Sequence, residues 1–283
     1  PRNISNFATS LSKIFEILEE EPEVADIKLP LDIRIEGDVS IRHVTFGYDS
    51  YNPVLEDINV EIKQGEMIGV VGHSGCGKTT LINLIMRLYD VTEGEILIDD
   101  VNIKDISQNA LRSQMGVVLQ ETHLFSGSIR DNIRYAKPFA TNEEVVAAAR
   151  LANAHDFILN LPEGYNTIVG EKGYSLSGGE RQRIAIARAL IHDPRILILD
   201  EATAALDTET EKLIQDAINK VVKNRTTFAI AHRLSTLRNA DKLLELDHGR
   251  LAEFGTHQEL LDRKGIYYHL VMAQQKAALA KQG

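Results

Sequence analysis

Apolar and polar positions recur along this chain with two different periods, and the switches between them divide it into segments. Near the N-terminus Phe7, Leu11, Ile14, Phe15 and Leu18 fall at i, i+4, i+7, i+8 and i+11, one face of a 3.6-residue repeat, and predict an amphipathic helix over 5–21. Ser5 or Asn6 is placed to cap its start. Glu19-Glu20-Glu21-Pro22 ends it, because the residue before a proline is biased away from helix. Two readings of this helix stay open: a helix packed on its own domain, or the tail of a membrane-spanning helix leading into that domain. Residues 22–32, with Pro22 and Pro30, read as a linker. Over 33–62 the period becomes two: Ile33/Ile35 and Val39/Ile41 alternate with polar residues, and Pro53 and Gly65 punctuate turns. Met67-Ile68-Gly69-Val70-Val71 is a short continuous apolar run, the pattern of a strand buried in a parallel sheet. It feeds a Gly-rich loop and then a helix over 78–88. Further strands at 94–98, 115–119, 195–199, 226–230 and 241–246, with helices interleaved, predict an α/β fold with a parallel sheet. Between 122 and 178 the pattern gives helices at 127–135, 142–151 and 153–160 without convincing strands, which reads as a helical insertion. Gly249 to Phe254 suggests a final hairpin strand, and 256–281 close the chain as two helices.

Composition narrows the picture. A chain of 283 residues holds one large domain or two small ones, and its 43% hydrophobic and 25% charged content suits a globular soluble chain. The net charge of −10, with no Lys/Arg block, argues against nucleic acid as a partner. No apolar run approaches the roughly 20 residues that span a bilayer. Position 1 is Pro rather than Met, so the chain is expected to be a piece of a longer polypeptide. The single Cys76 excludes an intrachain disulfide and fits a reducing cytosol.

Three strings carry chemistry. Gly72-His73-Ser74-Gly75-Cys76-Gly77-Lys78-Thr79 matches G-x-x-x-x-G-K-[ST] between a predicted strand and a predicted helix. Glycines let successive backbone N–H groups converge on phosphate oxygens, and the helix N-terminus at Lys78, Thr79 and Thr80 adds a favourable dipole. Lys78 is expected to reach the β- and γ-phosphates of a nucleotide, and Thr79 to ligate Mg²⁺. Two readings of Cys76 stay open: a small filler in a tight loop, or a thiolate whose pKa the loop N–H groups and Lys78 lower. Ile196 to Leu199 is a buried strand that delivers Asp200 and Glu201 at its C-terminal end, the edge where open α/β sheets bind ligands. Alone, two acids there also suit a helix start. With the phosphate loop upstream, Asp200 is expected to hold Mg²⁺ and Glu201 to orient or deprotonate an attacking water. Leu176-Ser177-Gly178-Gly179-Glu180 is a Gly-rich turn opening a helix, another natural anion site.

With these strings in this order the chain resembles the nucleotide-binding domain of an ABC transporter, most closely the exporter type, over roughly residues 34–265. Leu176-Ser177-Gly178-Gly179-Glu180 looks like that family's signature motif. The resemblance implies a P-loop NTPase core with a mainly parallel sheet, an N-terminal antiparallel β subdomain and an inserted α-helical subdomain. It divides the chain into a linker with an amphipathic helix from a preceding membrane segment (1–32) and the ATPase domain (33–283). It implies that Tyr48 stacks on adenine, that Gln120 meets Mg²⁺ and water, that His232 contacts the γ-phosphate and that Asp207 lies in a loop crossing between protomers. In this family the signature acts on the ATP held by a second chain. A P-loop covers one side of the triphosphate, and further donors complete the cage only from another surface, which a two-fold head-to-tail dimer supplies.

The function implied is ATP hydrolysis coupled to transport. The expected partners are a second copy and a transmembrane domain of the same polypeptide, with the domain lying at the cytoplasmic face of the cell membrane. Three positions depart from the family pattern: Glu180 where Gln is common, Ile168 where exporters often carry an acid, and Ala205 where the Asp207 loop has a serine. The rival readings are a soluble ABC-type ATPase of DNA repair or translation, which lacks support because no coiled-coil insertion or tandem domain is visible, and a non-catalytic nucleotide-binding module, against which Glu201 and His232 argue.

Overall fold

The computed structural model describes residues 2–20, 22–49, 51–119, 122–170, 175–200, 208–230 and 239–280. The chain opens with helix α1, Arg2–Leu18. It begins earlier than expected, so Ser5 and Asn6 lie inside it rather than capping it. Leu11, Ile14, Phe15 and Leu18 are all exposed, so this apolar stripe is not packed on the domain that follows. The linker, by contrast, is docked. Leu31 forms a parallel bridge with Ile106, its amide donates to Asp105 O at 2.7 Å, and its carbonyl accepts from Ser107 N at 2.9 Å. Arg87, 1% exposed, donates to Ala25 O at 2.9 Å and to Asp26 at 3.3 Å, which ties the linker to the domain.

Val39–Phe46 (β1) and Leu55–Ile62 (β2) form an antiparallel hairpin, and Met67–Gly72 (β3) leads into Lys78–Ile85 (α2). The pair Ile33/Ile35 is not a strand. The Gln114 side chain takes a strand neighbour's place there, donating to Ile33 O at 2.8 Å and accepting from Ile35 N at 2.9 Å. Glu93–Ile98 (β4), Val101–Asn102 (β5), Gln108–Arg112 (α3) and Met115–Val118 (β6) follow. Then come Gly127–Ser128 (β7), Ile129–Arg134 (α4), Asn142–Leu151 (α5), His155–Leu159 (α6) and Ile168–Val169 (β8). α4, α5 and α6 fall on the helices expected at 127–135, 142–151 and 153–160, but β7 and β8 pair as a two-stranded sheet that apolar periodicity does not announce. Gly178–Leu190 (α7), Ile196–Asp200 (β9), Thr208–Val221 (α8), Thr226–Ile230 (β10), Lys242–Asp247 (β11), Arg250–Gly255 (β12), His257–Arg263 (α9) and Ile266–Ala280 (α10) complete the described α-helices and strands.

Helix starts follow local chemistry. Ser128 with Asp131, Thr141 with Glu144, Ser177 with Glu180 and Thr256 with Glu259 each form a capping box, in which two otherwise orphaned donors are satisfied reciprocally.

Two main sheets result. One has the order β2-β1-β4-β5 with antiparallel neighbours. The other has the order β12-β11-β3-β10-β9-β6, in which only β12 is antiparallel. The parallel strands are buried on both faces, which is why they read as continuous apolar runs. On one face Ile68, Val70, Ile198 and Phe228 pack with Leu81 and Ile85 of α2 and with the antiparallel sheet. On the other, Val71, Leu197 and Leu243 pack with Ile184 of α7, Ile214 of α8 and Tyr267 of α10. No helix among the described residues is long and apolar enough to cross a membrane.

Candidate functional site

The loop after β3 is shaped by close backbone approaches. Leu246 on β11 stands beside Gly72, so a Cβ at Gly72 would lie 2.2 Å from the Leu246 carbonyl oxygen. Gly77, at φ +104°, turns the chain into α2, and a Cβ there would meet Leu55 Cδ2 at 2.6 Å. No side chain caps α2, so none competes for the first N–H groups of this helix. Between these glycines Cys76 N donates to His73 O at 3.3 Å. Lys78 curls back over the loop, its ammonium donating to Gly72 O at 2.9 Å and His73 O at 2.8 Å.

A cleft of ≈ 240 Å³ opens on this loop, lined by Val54, Ser74, Gly75, Gly77, Lys78, Thr79, Thr80, Asp200 and Ile230. Asp200 ends β9 in register with Ile230 of β10, at the C-terminal edge of the parallel sheet. The fold thus brings the loop and the strand-end acid to one place. The Thr79 hydroxyl and the Asp200 carboxylate are hard oxygen donors, the kind magnesium takes alongside phosphate oxygens, so the residues present fit that ion.

Tyr48 stands at the edge of this region. Its hydroxyl is 3.2 Å from Thr80 Oγ1, and its ring packs edge-on against Phe46 and Tyr89 at centroid distances of 5.1 and 5.2 Å. At 55% exposure it retains a free aromatic surface beside α2.

The signature string occupies another place. Ser177 caps α7: its hydroxyl accepts from Glu180 N at 3.3 Å, and the Glu180 carboxylate accepts from Ser177 N at 2.8 Å. Glu180 fills the third helical position of the box as Gln would, so this departure keeps the cap. Gly178 and Gly179 begin the helix, and a Cβ at Gly179 would lie 1.9 Å from Thr210 Cγ2 on α8. None of Ser177, Gly178, Gly179 and Glu180 lines the cleft on the phosphate loop, so one chain does not join its two anion sites there. Ile168, in β8, is 54% exposed. Gln120, Glu201, Ala205, Asp207 and His232 lie outside the described residues.

Of the two readings left open for Cys76 one falls, and two residues carry features that the sequence does not show. Cys76 is 6% exposed, and burial pushes its thiol up despite the opposing Lys78 charge, so the low-pKa thiolate is not supported and the small-filler reading stands. Glu245 is fully buried, and among the described residues neither carboxylate oxygen has a hydrogen-bond partner. Burial first, then Glu253 and Asp247, raise its pKa to about 7 against the opposing effect of Lys78. In sequence it passes for an outward residue of an alternating strand. In sequence Arg87 passes for an ordinary residue of a helix over 78–88. Its φ of +52° ends that helix, and its guanidinium also reaches Ile106 O at 2.9 Å and Asp90 at 3.3 Å.

Comparison with known proteins agrees with this geometry. A family model described as ABC transporter matches residues 55–204. A putative multidrug export ATP-binding/permease protein of Staphylococcus aureus is 50% identical over 264 residues, 92% of this chain and 46% of that protein. An ATP-dependent lipid A-core flippase of Syntrophus aciditrophicus is 52% identical over 268 residues, 93% of this chain and 44% of that protein. Among solved structures, a bacterial Atm1-family ABC exporter with ATP bound matches with a TM-score of 0.90 and 43% identity, over 96% of this chain and 48% of that one. The chain spans about half the length of the curated relatives it matches.

Proposed function

The chain belongs to the ABC transporter family, and from that premise we propose that it is the ATP-binding and ATP-hydrolysing domain of an exporter, working as a head-to-tail pair at the cytoplasmic face of a membrane. The observation that carries this reading is the cleft in which Gly75, Gly77, Lys78, Thr79 and Asp200 meet. The relatives' names, which join an ATP-binding part to a permease, support the exporter assignment. On this reading residues 1–32 are a linker whose helix continues from a preceding membrane segment, and 33–283 are the ATPase domain with its helical insertion at about 122–178. The exposed apolar stripe of α1 suits that role.

The reaction is ATP + H₂O → ADP + Pi. Backbone N–H groups from His73 to Thr80 hold the phosphates, Lys78 moves from the loop carbonyls to the β- and γ-phosphates, and the Tyr48 ring stacks on adenine. Thr79, Asp200 and Gln120 would hold Mg²⁺, which when bound neutralises charge developing between the β- and γ-phosphates. Glu201 accepts a proton from the attacking water, and His232 steadies the γ-phosphate. Ser177 to Glu180 of a second copy close the cage from the opposite side, with Asp207 in the crossing loop. Loss of the γ-phosphate removes what held the two copies, so the pair opens. Phosphate release from MgATP tests this. Glu201→Gln is expected to keep ATP binding while slowing release at least ~100-fold, the scale of losing a catalytic base. Release at the wild-type rate would refute the role given to Glu201.

A further inference from the structure

Glu245 is an ionisable side chain with no exposure and no hydrogen-bond partner for either oxygen among the described residues. A carboxylate buried in this way stays charged only if something nearby compensates it. Its position shows what does. β11 runs parallel to β3, so Glu245 stands beside Val71 and Leu246 beside Gly72, at the root of the phosphate loop. It lies on the sheet face that carries Leu243 and Val71. The described groups around it come from several elements. Glu253 stands opposite on β12, where it accepts from Tyr267 N at 2.8 Å, and Asp247 follows on the same strand. The loop contributes Cys76, whose thiol feels the Glu245 charge, and α2 contributes Lys78. Behind β12, α10 brings Tyr267, its hydroxyl 2.7 Å from His257 Nδ1, while β3 brings no titratable group. Among the described residues Lys78 is thus the positive charge that favours ionised Glu245, and its ammonium is held inward on Gly72 O and His73 O.

We propose that Glu245 is a positioning residue of the phosphate loop: when nucleotide phosphates draw the Lys78 ammonium outward, Glu245 takes a proton from solvent, and it returns that proton when the nucleotide leaves. This inference rests on the nucleotide reading above. One ammonium does not neutralise a buried carboxylate and a polyphosphate together. The incoming phosphates add negative charge on the loop side, where Glu253 and Asp247 already disfavour a charged Glu245. Protonation keeps the charge of the buried cluster in balance, so that Lys78 leaves no uncompensated carboxylate behind. The raised pKa, already about 7, places this exchange in the physiological range.

Isothermal titration of MgADP into the full chain at pH 7.5, in two buffers of different ionisation enthalpy, counts the protons taken up per nucleotide bound. Wild type is expected to take up a substantial fraction of a proton more than Glu245→Gln. Between pH 7 and 8.5 its affinity should weaken more steeply than the variant's, by at most about tenfold per pH unit for one proton. Glu245→Leu, which suits the apolar neighbours, provides the same comparison should the amide fold poorly. Equal proton counts and parallel affinity profiles would overturn the inference while leaving nucleotide binding intact. Absence of MgADP binding to wild type would overturn the nucleotide reading and the inference with it.

Discussion

Replacing Glu245 by Gln changes how folding stability depends on pH. The Glu245 carboxyl titrates at about 7 in the folded chain against 4.5 for an unperturbed glutamate, because burial and two acidic neighbours oppose its charge. Between those values the folded chain keeps a proton that the unfolded chain has released. Stability therefore falls as pH rises from 4.5, and the fall is complete above about 7. For this fully buried group a gap of about 2.5 units, at about 1.36 kcal/mol per unit, gives a loss of about 3 kcal/mol. The glutamine amide does not titrate, so the variant lacks this component. Urea unfolding of both proteins at pH 4.5, 6 and 8 provides the test, with the shift read in the midpoint at unchanged slope. The stability difference, variant minus wild type, should rise by about 3 kcal/mol from the lowest to the highest pH. Two curves that stay parallel across that range would show that Glu245 is not held as a buried, unpartnered acid.

Cys76 should react slowly with a maleimide at neutral pH and faster as pH rises, because burial disfavours its thiolate, and saturating MgATP should slow labelling further. Labelling at equal rates with and without MgATP would remove Cys76 from the phosphate site. Arg87→Ala should cost about 1.5–3 kcal/mol in urea unfolding, since it removes a fully buried guanidinium that binds the Ala25 and Ile106 carbonyls, Asp26 and Asp90; a cost below about 0.5 kcal/mol would refute the clamp. Asp26→Ala, milder because the buried Arg87 keeps Asp90 and the Ala25 and Ile106 carbonyls, should speed hydrogen exchange of the Leu31 amide; unchanged exchange would show that the linker is docked by other contacts.

The parallel core was legible because its signals are local. An apolar run such as Met67 to Val71 declares a buried strand, and the glycines of 72–77 declare a loop that only a tight backbone path requires. What escaped depends on contacts remote in sequence. Ile33 and Ile35 alternate as a strand would, but their backbone groups are satisfied by the Gln114 side chain, about 80 residues on, so no ladder forms. The helix over 78–88 stops early because Arg87 takes a left-handed conformation with its side chain on the linker, and no glycine marks the place. Glu245 alternates like a surface residue, and its burial arises only when β12 and α10 cover that edge of the sheet. Spacing alone leaves two readings of Cys76 open, because it shows the nearby positive charge of Lys78 but not the burial that raises the thiol's pKa.

Completion of the site by a second copy is tested most directly by phosphate release from MgATP by Ser177→Arg, alone and mixed with Lys78→Ala. Ser177 lines no part of its own chain's phosphate cleft, and the cap lost with it costs α7 only about 1 kcal/mol. The expected result is that Ser177→Arg binds ATP nearly as wild type yet releases almost no phosphate, and that mixing with the equally inactive Lys78→Ala restores turnover through dimers holding one intact site. Wild-type release by Ser177→Arg alone, independent of protein concentration, would contradict a site completed in trans.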